Sequence, residues 1–159
     1  MKKTKMLKKN YEFRKVLSKG KYYSGKNIEA YVLENNKKDC NFLGLAISVK
    51  TAKAVKRNMI KRLLRENYKI LENNIINGVS IVFLWKKGID TKNALFNNIK
   101  DDMNYIFDIF WDDLHIQAHF SYIFLNPTHN YEQSNLELNA EYIPKIYIYF
   151  HSNIAYSIF

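Results

Sequence analysis

The stretch KAVKRNMIKRLLREN, Lys53 to Asn67, carries six Lys or Arg residues in fifteen, set among aliphatic ones. The chemistry open to such a set is phosphate neutralisation, in which side-chain cations displace counterions from a polyanion and hold its backbone. Like charges four residues apart repel on a helix, so the run is locally unfavourable unless an anion lies against it. With about 100° per residue and Arg57 at zero, Arg57, Lys61, Arg65, Asn58 and Arg62 span an arc from zero to about 140°. Met59, Ile70, Leu63, Asn67, Ile60, Leu71 and Leu64 fall between about 200° and 340°. One stripe therefore enters a core, and the other meets solvent or a partner. The basic face has no acidic neighbour four residues away until Glu66, which follows Arg62. It also holds Asn58, a weak helix former of a type that bonds phosphate and sugar. A plainly solvated face is the competing reading.

Other chemistry is thinner. Asp112, His115 and His119 fall at i, i+3, i+7, a spacing that can put metal ligands on one helical face. No fourth ligand is evident, and surface side chains are the simpler reading. Asp101 and Asp102 are adjacent and point to different helix faces, which makes a poor acid–base pair. Asp101 or Asp108 can approach a metal near a bound nucleic acid, but nothing in the spacing requires it. Neither a serine–histidine–acid set nor a glycine-rich phosphate loop is present. The single cysteine, Cys40, excludes an internal disulfide and a cysteine-rich zinc site.

Charge is divided along the chain. Up to Lys69 there are 20 basic and 5 acidic residues, and beyond it 5 basic and 10 acidic, giving nets of +15 and −5. So concentrated a positive field points to nucleic acid, with an anionic membrane surface as the lesser alternative. A basic N-terminus without a following apolar stretch is not a signal peptide. The charge-free run Ile146–Phe159, 14 residues with His, Ser and Asn, is too short and polar to span a bilayer. The expectation is a soluble cytoplasmic protein with one main domain.

The elements that must position the basic stripe follow from pattern. Lys2–Lys9 reads as a flexible basic arm. Asn10 can cap a helix to about Ser18, with Phe13, Val16 and Leu17 on one face and Gly20 as its stop. Lys21–Ser24, Asn27–Glu34 and Phe42–Lys50 have strand character and form an antiparallel meander. In the third, Leu43, Leu45, Ile47 and Val49 make a core face. The opposite face, Phe42, Gly44, Ala46 and Ser48, is small and flat, either for a bound chain or for a closely packed helix. The basic helix extends to about Glu72, Gly78 precedes a buried strand Val79–Trp85, and Thr91 caps a last helix to about Trp111. The order is αβββαβα. Residues 115–159 form an extension without clear periodicity, following a domain of residues 1–114.

AVKRNMIKRLLRE resembles the arginine–asparagine–arginine motif of the bacterial ribonuclease P protein subunit, A-V-x-R-N-R-I-K-R-x-x-R. Arg57, Asn58, Ile60, Lys61, Arg62 and Arg65 fit in register, and Met59 stands where the family has its second arginine. LKKNYEFRKVLSKG is similar to the family's opening helix, with Phe13 at one of two cleft aromatics and Leu17 in place of the other. IEAYVL puts Tyr31 at the strand aromatic of that cleft. LGLAISVK is similar to G-L-S-V-S-K-K, retaining Ser48 and Lys50. The resemblance covers about residues 5 to 112.

It implies an α+β fold, an α/β sandwich like that of a ribosomal-protein domain. In it the basic helix links parallel neighbouring strands by a left-handed crossover, against the usual preference. It implies a catalytic-RNA-binding set of Lys53, Arg57, Asn58, Lys61, Arg62 and Arg65. A leader-binding set of Phe13, Leu17, Tyr31, Ser48 and Lys50 would contact precursor tRNA. The implied reaction is magnesium-assisted removal of the 5′ leader, with Mg2+ held mainly by the RNA and no catalytic or metal-binding protein residue. Neither a membrane nor an obligate protein partner is expected. The alternatives are a ribosomal or other structured-RNA-binding protein, and a membrane-surface role for the basic helix.

Overall fold

A run as apolar as Val79–Trp85 has to be covered on both faces. The computed structural model places it at the centre of a five-stranded sheet. The structure describes residues 3–35, 37 and 40–125, with side chains followed to Leu114, so most of the expected extension lies outside the described residues. Met1–Leu114 forms one compact unit. The elements are β1 (Thr4–Met6), α1 (Asn10–Lys19), β2 (Lys21–Ser24), β3 (Ile28–Glu34), β4 (Asn41–Ala46), α2 (Ala54–Leu71), β5 (Val79–Trp85) and α3 (Phe96–Leu125). Short 3-10 turns, Glu72–Asn74 and Thr91–Asn93, follow α2 and precede α3.

The sheet order is β1-β4-β5-β3-β2. β2 and β3 form the expected antiparallel pair. β4 does not extend the meander, because β5 lies between it and β3, antiparallel to β3 and parallel to β4. The central place goes to the strand whose both faces are apolar. α2 thus links two adjacent parallel strands.

The basic arm is also corrected. Thr4–Met6 adds to the sheet edge parallel to β4, fixed by Leu7 N donating to Leu43 O at 2.8 Å and Asn41 N to Lys3 O at 3.0 Å. Lys3 and Lys5 stay exposed while Thr4 and Leu7 are buried. Lysines on an edge strand discourage pairing with another chain.

Two layers of helix enclose the sheet. On one face α2 and α3 bury Ile60, Leu64, Tyr68, Ile99, Met103 and Ile106 against Leu43, Leu45, Ile81 and Phe83. Each large apolar side chain so buried contributes about 1.5–3 kcal/mol of transfer free energy. On the other face α1 lays Val16, Phe13 and Leu17 over Leu7 and Val82. The flat face of β4 is explained here. A Cβ at Gly44 would come within 2.7 Å of Phe13 Cε1, 2.9 Å of Val82 Cγ2 and 3.0 Å of Leu7 Cδ1. Helix packing, not a bound chain, requires that glycine. Gly44→Ala should therefore destabilise the fold by about 1–3 kcal/mol, read as a lower urea midpoint at unchanged m-value.

Helix ends differ from the capping residues expected. The N-cap of α1 is Lys9, and the Glu12 carboxylate accepts from Lys8 N at 3.0 Å and Lys9 N at 2.9 Å. Those two bonds, Lys9 first, hold its pKa below the usual carboxylate value. Before α3, Asp90 rather than Thr91 caps the 3-10 turn, accepting from Lys92 N at 2.9 Å. α3 itself runs past Trp111 to Leu125. Asp102, deeply buried on α3, accepts from the backbone N–H groups of Lys26, Asn27 and Ile28 at 3.0, 2.6 and 3.2 Å. It ties the β2–β3 turn to the helix layer.

Candidate nucleic-acid interface

The first turn of α2 contains no acidic residue, and its N-cap is Lys53. Cations at a helix N-terminus oppose the macrodipole, and exposed N–H groups there favour an anion. Lys53, Lys56, Asn58 and Arg62 line an open groove of about 620 Å³ together with Val55 and Met59. Val55 is 83% exposed, so the groove offers apolar surface among its cations. Met59, in the place of the motif's second arginine, is half-buried against the main core and forms part of this lining.

The helix is rotated relative to the sequence-based wheel. Ile60, Leu64, Asn67, Tyr68 and Leu71 are buried, which centres the dry arc near 325° and points the outward line near 145° on the same wheel, to roughly 10°. Asn58 and Arg62 therefore form the exposed crest, and Arg57, Lys61 and Arg65 form one half-buried shoulder. Tyr68 causes the rotation by occupying the arc beside Arg57 and Lys61. Its hydroxyl meets Thr4 Oγ1 at 3.1 Å, and burial pushes its pKa up to about 12. Ile70, expected on the apolar side, is exposed. Asn67 is buried and donates to Leu63 O and Phe96 O, leaving Oδ1 without a hydrogen-bond partner among the described residues.

The stripe stays uncompensated. Glu66, the one acid near it, binds Lys69 at 3.1 Å rather than Arg62. Among the described residues none of Lys53, Lys61, Arg62 or Arg65 makes an ion pair. Arg57 is partly committed, since its Nη1 donates to Ala52 O at 2.7 Å and braces the loop that enters α2.

Ser48 and Lys50 are not on a strand. β4 ends at Ala46, because β5 gives it no partner beyond Leu84. Ser48 Oγ then accepts from Lys50 N at 3.2 Å and its carbonyl from Thr51 N at 3.1 Å, turning the chain toward α2. Val49, expected in the core, is 74% exposed as a result.

On the opposite face of the sheet Phe13, Leu17 and Tyr31 gather in one half-buried cluster with Phe42, Ala46 and Leu84. The expected leader set is thus divided, three side chains on the α1 face and two in the β4–α2 turn. One aromatic was missed. Tyr22 sits opposite Tyr31 in the β2–β3 register, with ring centroids 5.2 Å apart and planes at 58°. The doublet Tyr22–Tyr23 held the signal, since a strand sends neighbouring side chains to opposite faces. Tyr23 goes inward, edge-on to Phe110, and its pKa is raised by burial and by Asp113.

Asp101 and Asp108 are exposed on α3, and the side chains of His115 and His119 lie outside the described residues. Among the described residues no three His, Cys, Asp or Glu side chains gather to hold a metal ion. Nor is any described helix long and apolar enough to cross a membrane.

Comparison with known proteins agrees with the geometry. The ribonuclease P family profile matches residues 1–110. The ribonuclease P protein component of Clostridioides difficile is 38% identical over 97 residues, 60% of this chain and 82% of that one. That of Clostridium botulinum is 37% identical over 101 residues, 59% and 90% of the two chains. Among solved structures, the Staphylococcus aureus RNase P protein is 28% identical with a TM-score of 0.58, covering 65% of this chain and 93% of its own. The Thermotoga maritima RNase P protein, 22% identical with a TM-score of 0.57 over 64% and 94% of the chains, shares the fold.

Proposed function

This chain belongs to the ribonuclease P protein family, and from that premise we propose that it binds the catalytic RNA through α2 and the precursor tRNA leader through the α1 face of the sheet. The observation that carries the reading is the uncompensated cationic stripe on α2, with its groove at the helix N-terminus. Such a surface neutralises phosphates without reading bases. The protein's part is to bind and orient RNA. The RNA subunit holds the magnesium ions and carries the hydrolysis that frees the mature tRNA 5′ end, in the cytoplasm.

Tyr31 supplies a leader contact in this reading. Base–aromatic stacking is worth about 1–3 kcal/mol per base. Tyr31→Ala should accordingly weaken holoenzyme binding of precursor tRNA by about fivefold to a hundredfold, with much less effect on mature tRNA. Equal losses for both would remove the leader contact from the scheme.

A ribosomal or other structured-RNA role is the rival. Equilibrium binding to a bacterial ribonuclease P RNA and to ribosomal RNA, at matched salt, separates the two. The proposal requires preference for the former; preference for ribosomal RNA would support the rival.

A further inference from the structure

One line along α2 joins its cations to the edge of the sheet. Arg57, Lys61, Arg65, Tyr68 and Glu72 follow one another at helical spacing, within roughly 80° on the wheel. The first three form the half-buried shoulder, and the last two are buried. β1 holds both of these. The Tyr68 hydroxyl shares a hydrogen bond with Thr4 Oγ1 at 3.1 Å, and Glu72 Oε1 accepts from Lys3 N at 3.2 Å.

The two sides of this grip differ in strength. The Tyr68 ring is set in the core, edge-on to Phe83 of β5 with centroids 6.5 Å apart. β1 is three residues long, lies at the sheet edge and pairs with β4, where Leu7 N and Asn41 N make its flanking backbone bonds. So short an edge strand opens more readily than the centre of the sheet. Thr4, 9% exposed, is the side chain through which its docking is felt by α2.

The roll of the helix depends on that tie. Without Tyr68, the other buried residues of α2 centre the dry arc near 310°, a roll of roughly 15°. At the side-chain radius of a helix this moves the outer atoms by about 1.5 Å. Charge-assisted hydrogen bonds to phosphate hold over only a few tenths of an ångström, so such a shift breaks or weakens them.

We propose that Thr4 and Tyr68 are positioning residues for RNA binding: docking of β1 sets the roll of α2, and with it the places of Arg57, Lys61 and Arg65. This rests on the proposed binding of the catalytic RNA through α2. Linkage makes the coupling reciprocal, so RNA on α2 also favours docked β1.

Thr4→Val removes the hydroxyl at similar shape, and Thr4→Ser restores it. With a bacterial ribonuclease P RNA at matched salt, Thr4→Val should bind about twofold to tenfold more weakly, the range that one neutral hydrogen bond can transmit. Thr4→Ser should stay within about twofold of wild type. Tyr68→Phe breaks the same bond from the other side, so it should match Thr4→Val, and the double variant should be no worse than either. Amide exchange reads the reverse direction. The N–H groups of Leu7 and Asn41 should exchange more slowly in RNA-bound wild type, and faster in free Thr4→Val. Thermal melts set a temperature at which every variant is folded. A Thr4→Val protein that melts lower yet binds RNA as tightly as wild type, or exchange at Leu7 and Asn41 that ignores RNA, overturns the coupling alone. If the wild-type protein does not bind the RNA, the subunit reading fails and the coupling with it.

Discussion

Replacing Arg57, Lys61 and Arg65 together with alanine should weaken binding to the catalytic RNA by about a hundredfold to a thousandfold. The figure follows from roughly 1–1.5 kcal/mol for each charge-assisted phosphate contact that is lost. The salt dependence should flatten as well, by about two to three in the slope of log K against log salt. These three residues share one shoulder of α2, and none has an acidic partner among the described residues. Their half-buried stems also cover apolar surface, so some stability will go with them. A thermal melt measures that part. Arg57 needs its own control because its guanidinium braces Ala52. Arg57→Lys keeps the charge and loses the fork, so a large drop in melting temperature from it alone would assign Arg57 to the loop, and weaker binding at unchanged melting temperature would assign it to RNA. Unchanged affinity and slope in the triple variant would make the stripe a solvated face.

Asp102→Ala should lower stability by about 3–5 kcal/mol. Three backbone N–H groups converge on this carboxylate, and two of the bonds are buried. Bonds to a charged acceptor are worth about 1.5–3 kcal/mol, and each donor left unpaired adds a desolvation cost. For a chain of this size the melting temperature should fall by roughly 10 °C or more. The β2–β3 turn would loosen first, since Asp102 is what joins it to α3. A drop of only a degree or two would mean that water replaces the carboxylate without penalty. Asp102→Asn, which keeps one acceptor oxygen but turns a donor toward the N–H groups, should fall between.

The basic stripe and Asp102 show what pattern can and cannot carry. The basic stripe was legible because helical periodicity separates Arg57, Lys61 and Arg65 from Ile60, Leu64 and Leu71 without any tertiary information. Its rotation was not, because it depends on Tyr68 finding Thr4 across 64 residues. β2 and β5 follow from local composition, and their expected limits match the structure. The insertion of β5 between β3 and β4 does not, since strand order is settled by which faces need cover. β1 was hidden by its lysines, which suit an exposed edge as well as a loose arm. Asp102 gave no local sign at all; its partners lie about 75 positions away. The motif register supplied the family, while Tyr22 lies outside that motif and its place beside Tyr31 follows from strand pairing.

Met59 is the sharpest departure from the family pattern, and the structure places it on the margin between core and groove. It removes one cation and leaves the crest of Asn58 and Arg62 open. In the proposed reading, phosphate contact then relies on the remaining stripe.

The most direct measurement is cleavage of precursor tRNA by a bacterial ribonuclease P RNA, with and without the full chain, across a magnesium titration. The expected result is accurate release of the 5′ leader at magnesium concentrations where the RNA alone is inactive, with the triple α2 variant failing to rescue. Absence of any rescue by folded wild-type protein, with an RNA whose own activity at high magnesium is intact, would contradict the assignment.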